Sequence, residues 1–254
     1  MLNLKLVIVG TVATYVAAMH PINKDHVEAI RLRTSKWTAH EPEENPLANK
    51  TMEELMGMCG TWNVPVNGIE KVSNYVAAFP EEHDARTQWP GKIHAIRDQQ
   101  SCGSCWAFGA TEALSDRFNI KHNHEVILSP QDMVSCDKSD YGCSGGYMYN
   151  AQLYMQSTGV VSETCFPYAS GSGIAPACRS TCVNSAETFK KYKCSNFYRV
   201  DGVDAIKTEL STNGPVEGAF TVYTDFFNYA GGVYHHTTSA IAGGHAIKVL
   251  GYGT

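Results

Sequence analysis

The sequence predicts an α+β fold in which a helical part precedes a sheet part. Two patterned regions and the composition carry that prediction. Residues 104–120 have helical spacing, with Trp106, Ala110, Ala113, Leu114 and Phe118 on one face. Val216–Tyr223 and His245–Leu250 are strand-length runs rich in Val, Ile and aromatic residues. Of 254 residues, 43% are hydrophobic and 18% charged, enough for a core and too little charge for a disordered chain.

In chain order, the first element is a targeting segment. Lys5 gives a positive start, Leu6 to Ala18 is mostly apolar, and Val16 and Ala18 supply small residues for cleavage, so residues 1–18 read as a secretory signal peptide. Residues 19–78 are charged and helix-prone, with Glu28, Arg31, Arg33, Glu41, Glu43, Glu44, Glu53 and Glu54. Their acidic residues read as a solvated face. Asn49-Lys50-Thr51 is a glycosylation acceptor pattern. A boundary falls near Val76 to Pro80, after which Gly, Tyr and Cys dominate. In the second part Asp204 to Leu210 reads as a short helix capped by Asp204. His235-His236 reads as a loop between strands, and Tyr223, Phe226, Phe227 and Tyr229 as core.

The balance of 20 Lys+Arg against 25 Asp+Glu gives a net charge of -5, and no basic stripe points to nucleic acid. No apolar run reaches the roughly 18 residues of a membrane-spanning helix. Nine cysteines suit an oxidising compartment, and the odd number hints at a thiol with its own task.

The chemistry concentrates in Gln99-Gln-Ser-Cys-Gly-Ser-Cys105-Trp-Ala-Phe108. A thiol is nucleophilic as thiolate, and a helix N-terminus stabilises that anion through its dipole and unpaired N–H groups. Cys105 falls in the first turn of the expected helix. His245, in Gly243-Gly-His-Ala-Ile247, is a candidate base far downstream. Alone it would read as a packed strand histidine. Cys102-Gly-Ser-Cys105 is also a C-x-x-C, so a dithiol redox site is a rival, although no βαβ order surrounds it. Zinc binding by Cys102, Cys105 and His245 is weaker, because no second ligand pair has zinc spacing.

A Cys-Gly-Ser-Cys-Trp pattern with a His about 130–150 residues later is the signature of papain and its relatives. The chain resembles papain-family cysteine proteases of the cathepsin B type in precursor form. The resemblance includes Met58-Cys-Gly-Thr-Trp62, Asp84-Ala-Arg86, Trp89-Pro90, Ser129-Pro-Gln-Asp132, Gly142-Cys-Ser-Gly-Gly-Tyr147, Asn213 to Phe220 and Gly243 to Gly253. It implies a papain-like two-lobed fold, a helical lobe and an incomplete β-barrel-like lobe, preceded by a signal peptide and an inhibitory propeptide. The peptidase domain would be residues 79–254. The resemblance makes Cys105 the nucleophile, His245 the acid–base and Gln99 an oxyanion donor. Gly103, Gly145 and Gly146 would line the substrate cleft, and Ala219 and Ala246 the pocket for the second residue before the cut. It suggests the disulfides Cys102–Cys143, Cys136–Cys178 and Cys165–Cys182. Cys59 would leave with the propeptide, and Cys194 is left without a role. The implied partners are protein or peptide substrates and the chain's own propeptide, with no nucleic acid, membrane span, metal or cofactor. The implied setting is the secretory pathway, ending in a lysosome or vacuole or outside the cell.

Several departures shape the expectation. Gln100 stands where the family has Gly, and no cysteine pair lies in Phe79 to Ile96. The family's Asn about 20 residues past the His has no counterpart here, because the sequence stops at Thr254, shortly after His245. The expectation is a chain lacking its C-terminal part, weakly active as written, with an inactive or regulatory binding homologue as the alternative. Joint retention of Cys105, His245 and Gln99 favours the enzyme. The stretch Phe166 to Ala177, between Cys165 and Cys178, holds no His, Lys or Arg. In cathepsin B an inserted loop there closes the cleft and holds the substrate's C-terminus. A loop this short implies an open cleft and an endopeptidase.

Overall fold

The computed structural model describes residues 20–62, 72–73 and 76–253. The signal peptide expected over 1–18 lies outside the described residues. The N-terminal part holds α1 (Lys24–Arg33), β1 (Trp37–Ala39), α2 (Met52–Gly57) and β2 (Val72–Ser73). Asn23 caps α1 by accepting from the His26 N–H. Thr51 and Glu54 close a reciprocal capping box on α2, so each satisfies an otherwise unpaired backbone N–H. Next come β3 (His83–Asp84), α3 (Ala85–Gln88), α4 (Cys105–His122), α5 (Pro130–Cys136) and α6 (Met148–Ser157). The chain ends with β4 (Arg199–Val200), α7 (Val203–Asn213), β5 (Val216–Tyr223), β6 (Tyr229–Gly232), β7 (Ile241–Val249) and β8 (Gly251–Tyr252).

The order is helices first and sheet second, as the sequence pattern requires, and β5 has the predicted bounds. Three details differ. The first two turns of α4 are buried all round rather than on one face, because α5 and α6 pack on one side and β7 on the other. Strand β7 begins at Ile241, since Gly243 and Gly244 already pair with Val222 and Thr221 of β5. Gly202, not Asp204, caps α7; its φ of 87° suits glycine. Asp204 sits instead in the first turn, where its charge meets the positive end of the helix.

The sheet part consists of two-stranded ladders among the described residues. In the antiparallel β5–β7 ladder, Phe220 faces His245 and Ala219 faces Ala246. Strand β1 of the N-terminal part pairs antiparallel with β6. One core surrounds α4, with Trp106, Ala110, Leu128, Met133 and Met155 buried together. A second joins Ile22 and Leu55 of the N-terminal part to Val222, Phe227 and Ala242 of the sheet. The N-terminal part therefore packs as core, not as a loose tail. The bonds Cys102–Cys143, Cys136–Cys178 and Cys165–Cys182 cross-link the helical part.

A buried charge cluster fastens β7 to α4. Lys248 Nζ lies 2.7 Å from Asp116 Oδ2 and 3.9 Å from Glu112, with side chains 4% and 0% exposed for Lys248 and Asp116. The other oxygen of Asp116 accepts the His94 backbone N–H at 2.9 Å and lies 2.7 Å from His94 Nδ1. Removing one member of a buried pair leaves the other charge uncompensated. Lys248→Met should destabilise the chain by about 3–5 kcal/mol, read as a fall in the urea midpoint. Lys24→Met, which breaks the exposed pair with Glu43, should leave the midpoint nearly unmoved. Equal shifts from the two would contradict the assignment.

Candidate active site

The loop before α4 sets the position of the thiol. The Cys102–Cys143 bond anchors it, and the Gly103 N–H donates to the Cys143 carbonyl at 2.9 Å. Cys105 follows as the first residue of α4, 1% exposed. Because Cys102 is bonded to Cys143, Cys102 and Cys105 do not form a dithiol. Gln99 lies buried beside them and donates its amide to the Cys102 carbonyl at 2.8 Å and the Met58 carbonyl at 2.9 Å. His245 stands mid-strand on β7 with its ring edge-on to Phe220 at 6.0 Å. Burial holds the His245 pKa below its ordinary value, opposed by a contact with the Met58 carbonyl. Gln99 and His245 thus meet at one backbone oxygen.

Residues 58–62 thread the cleft between α4 and β7. The Thr61 N–H donates to the Gly244 carbonyl and the Trp62 N–H to the Gly146 carbonyl, both at 3.0 Å. The Gly146 N–H returns a bond to the Gly60 carbonyl at 2.8 Å, and both pairings run parallel. Thr61 Oγ1 comes 2.9 Å from Cys105 Sγ, so a hydroxyl faces the sulfur. The approach needs glycine: a Cβ on Gly60 would stand 1.9 Å from the Gly103 carbonyl oxygen. Gly103, Gly145 and Gly146 all touch this segment; a Cβ on Gly145 would meet the Gly60 oxygen and the Trp62 ring. Ala219 and Ala246 are partners in the ladder, Ala246 buried and Ala219 exposed.

Gln100 occupies the left-handed region at φ 57°. Its N–H donates to Asp98 Oδ1 at 2.7 Å, a turn that holds a non-glycine residue where the family has Gly. The loop therefore keeps a glycine-like angle without glycine. Cys59 and Cys194 are also free thiols. Burial, then the neighbouring Cys105, pushes the Cys59 thiol up to about 12, and burial raises Cys194, so both are suppressed as thiolates.

Some contacts escaped the sequence reading. The aromatic cluster taken as plain core is also a docking surface: Trp37 packs on Tyr229 and Tyr234 at 6.0 and 5.3 Å, and its Nε1 donates to the His235 carbonyl at 2.9 Å. Glu217, on β5, carries no mark of a role in the sequence alone. It borders a cavity of about 490 Å³ that Trp62, Met148, Gln152 and Phe197 also line. Gln152 donates to its Oε2 at 2.8 Å, while its Oε1 is buried with no partner. Burial raises its pKa to about 8.

The fold and this cleft define a papain-like thiol peptidase in precursor form. The profile described as "Papain family cysteine protease" matches residues 79–254. Cathepsin B of Dictyostelium discoideum is 38% identical, over 84% of this chain and 74% of that one. Cathepsin B-like cysteine proteinase 4 of Caenorhabditis elegans is 36% identical, over 97% and 84%. The solved structure of proCathepsin B S9 from Trypanosoma congolense superposes with a TM-score of 0.86 at 30% identity, covering 92% of this chain and 84% of that one. The chain belongs to the papain family of cysteine proteases. Within it, the chain is a cathepsin B-like cysteine peptidase.

A raised carboxyl pKa gives a definite sign. Folded Glu217 keeps its proton up to about pH 8, whereas the unfolded side chain loses it near the ordinary 4.5. Stability is unaffected below that value and declines as pH rises through the window between them. Glu217→Gln, which mimics the protonated form, should remove that decline. Melts at pH 5 and pH 8 should show the variant gaining about 2–5 kcal/mol on the parent between them. A parallel pH dependence in both chains would refute this.

Proposed function

We propose that Cys105, His245 and Gln99 carry peptide-bond hydrolysis, that residues 19–78 are an inhibitory propeptide behind a signal peptide at 1–18, and that the released enzyme cuts internal bonds. The observation that carries this is residues 58–61 lying on all three groups at once. In turnover Cys105 Sγ attacks the substrate carbonyl carbon. The oxyanion is held by the Cys105 N–H and the Gln99 amide. His245 gives its proton to the leaving amine, then takes one from the water that cleaves the thioester. Gly146 would pair with substrate backbone as it now pairs with residues 60 and 62. Ala219 and Ala246, partners across the β5–β7 ladder, would flank the pocket for the second residue before the cut. The three disulfides among the described residues support a secretory route, ending in a lysosome or vacuole or outside the cell. No described helix is long and apolar enough to cross a membrane.

Acid should loosen the propeptide from within, through several small losses that are each near zero alone. Its ion pairs Lys24–Glu43 and Arg31–Glu41 join propeptide to propeptide. A hydrogen bond from Lys24 holds the Glu43 carboxyl below 4.5, and the Thr51 backbone does the same for Glu54. Depressed carboxyl values lend stability at neutral pH that is lost as pH falls through them. Contacts to the peptidase part, such as Arg33 to the Thr237 carbonyl and Lys50 to Ser101, use neutral acceptors. Trp37→Ala should weaken docking by about 3–5 kcal/mol, so the active-site thiol should become exposed at a milder pH than in the parent. An unchanged pH of exposure would count against Trp37 as the anchor.

Open-ended cutting rests on residues 166–177. The Ser101 N–H donates to the Gly171 carbonyl at 3.0 Å, and Tyr168 bonds to the Gln99 carbonyl at 2.7 Å, so the segment is fastened down beside the catalytic loop. It offers no cation for a substrate carboxylate. Digestion of a long peptide should give internal fragments by mass. A ladder of dipeptides lost from the C-terminus, without internal cuts, would refute endopeptidase action.

A further inference from the structure

Serine at the N-cap of a helix ordinarily turns its oxygen onto a first-turn N–H. Ser104 is the N-cap of α4 and caps none; bonded to Tyr168, it sits at φ -101° and ψ 15°, away from the extended backbone of a capping serine. Its hydroxyl, fully buried, lies 2.9 Å from the Tyr168 hydroxyl. Tyr168 has one proton, and it goes to the Gln99 carbonyl at 2.7 Å, so Ser104 donates to the tyrosine oxygen. The tyrosine is itself held on three sides. Its ring meets Phe108 edge-on at 4.7 Å, and Arg97 lies over that Phe108 ring at 5.1 Å. Arg97 pairs with Glu163 at 2.8 Å, and Glu163 accepts the Tyr168 N–H at 2.8 Å. The circuit joins the loop carrying Gln99, the helix carrying Cys105 and the segment after Cys165.

We infer that Tyr168 is a positioning residue for catalysis: it draws the Ser104 hydroxyl off the helix and fixes the Gln99 backbone, leaving the Cys105 and Trp106 N–H groups to the sulfur and the oxyanion, while Ala107 and Phe108 donate theirs to the Ser104 carbonyl. The inference rests on the proposed roles of Cys105 and Gln99. Without the tyrosine hydroxyl, Ser104 is released to cap the helix and compete for those N–H groups.

The test uses the full chain, with alkylation by iodoacetamide followed across pH and each cysteine read by peptide mass. The N-terminal segment covers Cys105 alike in every variant, so ratios between variants carry the result. Tyr168→Phe should move the Cys105 profile to higher pH and slow it at pH 6 roughly threefold to tenfold, the worth of one hydrogen bond at a helix N-terminus. Ser104→Ala, which removes the competing hydroxyl, should keep the parent profile. Tyr168→Phe with Ser104→Ala should recover it. Cys194, half-buried, reports folding in the same digests. A purely structural tyrosine would expose Cys194 equally in Tyr168→Phe and the double variant and leave the Cys105 profile in place, which overturns the inference. Failure of the double variant to recover overturns it too. In Trp37→Ala, whose N-terminal segment is loosened, Cys105 reacting no faster than Cys194 at pH 6 would overturn the nucleophile assignment and this inference with it.

Discussion

The contact of Lys248 with Asp116 ties together the two elements on which the chemistry depends. Lys248 follows His245 on β7, and Asp116 is on the helix that begins at Cys105. Both side chains are shut away from water, so the pair must be matched to avoid a large desolvation cost. That requirement fixes strand against helix: sliding β7 by one residue would send Lys248 to the opposite face and leave Asp116 unpaired. The imidazole and the thiol come from elements far apart in sequence, and this buried pair sets one register between them.

The N-terminal part uses the same cleft geometry for another purpose. Its backbone pairs with Gly146 and Gly244, one on each side of the cleft, but in parallel sense. Backbone hydrogen bonding to the cleft edges is blind to side chains, so any extended segment can take it. What differs is the atom delivered to the sulfur. At this register Thr61 presents a hydroxyl, and the segment's carbonyl at the Gln99 amide belongs to Met58. Gly60 makes the approach possible, and the Ile22 and Leu55 core with Trp37 on the aromatic surface supplies the apolar burial that holds the segment there.

Much of this was legible in the sequence, and the illegible part has a common cause. Helix α4 shows in the spacing of its apolar residues, although its first two turns are buried all round, and strand β5 in its run of Val, Phe and Tyr. Cys105 and His245 stood out because their residue types and spacing are rare together. Asp204 misled because an acidic residue at a helix start satisfies either a cap or the dipole, and only the φ of Gly202 decides. The aromatic run from Tyr223 to Tyr229 reads as core with or without a partner, since burial by a segment as remote as the one carrying Trp37 leaves no local mark. Glu217 and Tyr168 look ordinary along the chain; their meaning comes from Gln152, Ser104 and Gln99, none of them a sequence neighbour.

The segment from 166 to 177 shows how one length constraint can serve two ends. Disulfides at Cys165 and Cys178 hold its ends, and bonds between Gly171 and Ser101 and between Tyr168 and Gln99 fasten it beside the loop before α4. The same short span keeps Tyr168 within hydrogen-bond reach of Gln99 and Ser104, and keeps Gly171 against Gln100, where a Cβ would stand 2.2 Å from the side chain. A longer insertion would be free to move, and the ordering cost of holding the tyrosine in place would rise with that freedom. Gln100, in a left-handed conformation that glycine would adopt more readily, is tolerated because Asp98 bonds its N–H and the glycine at 171 makes room for its side chain. Loop length, the left-handed Gln100 and the backbone of Gln99 are thus one linked arrangement beside the loop that carries the thiol.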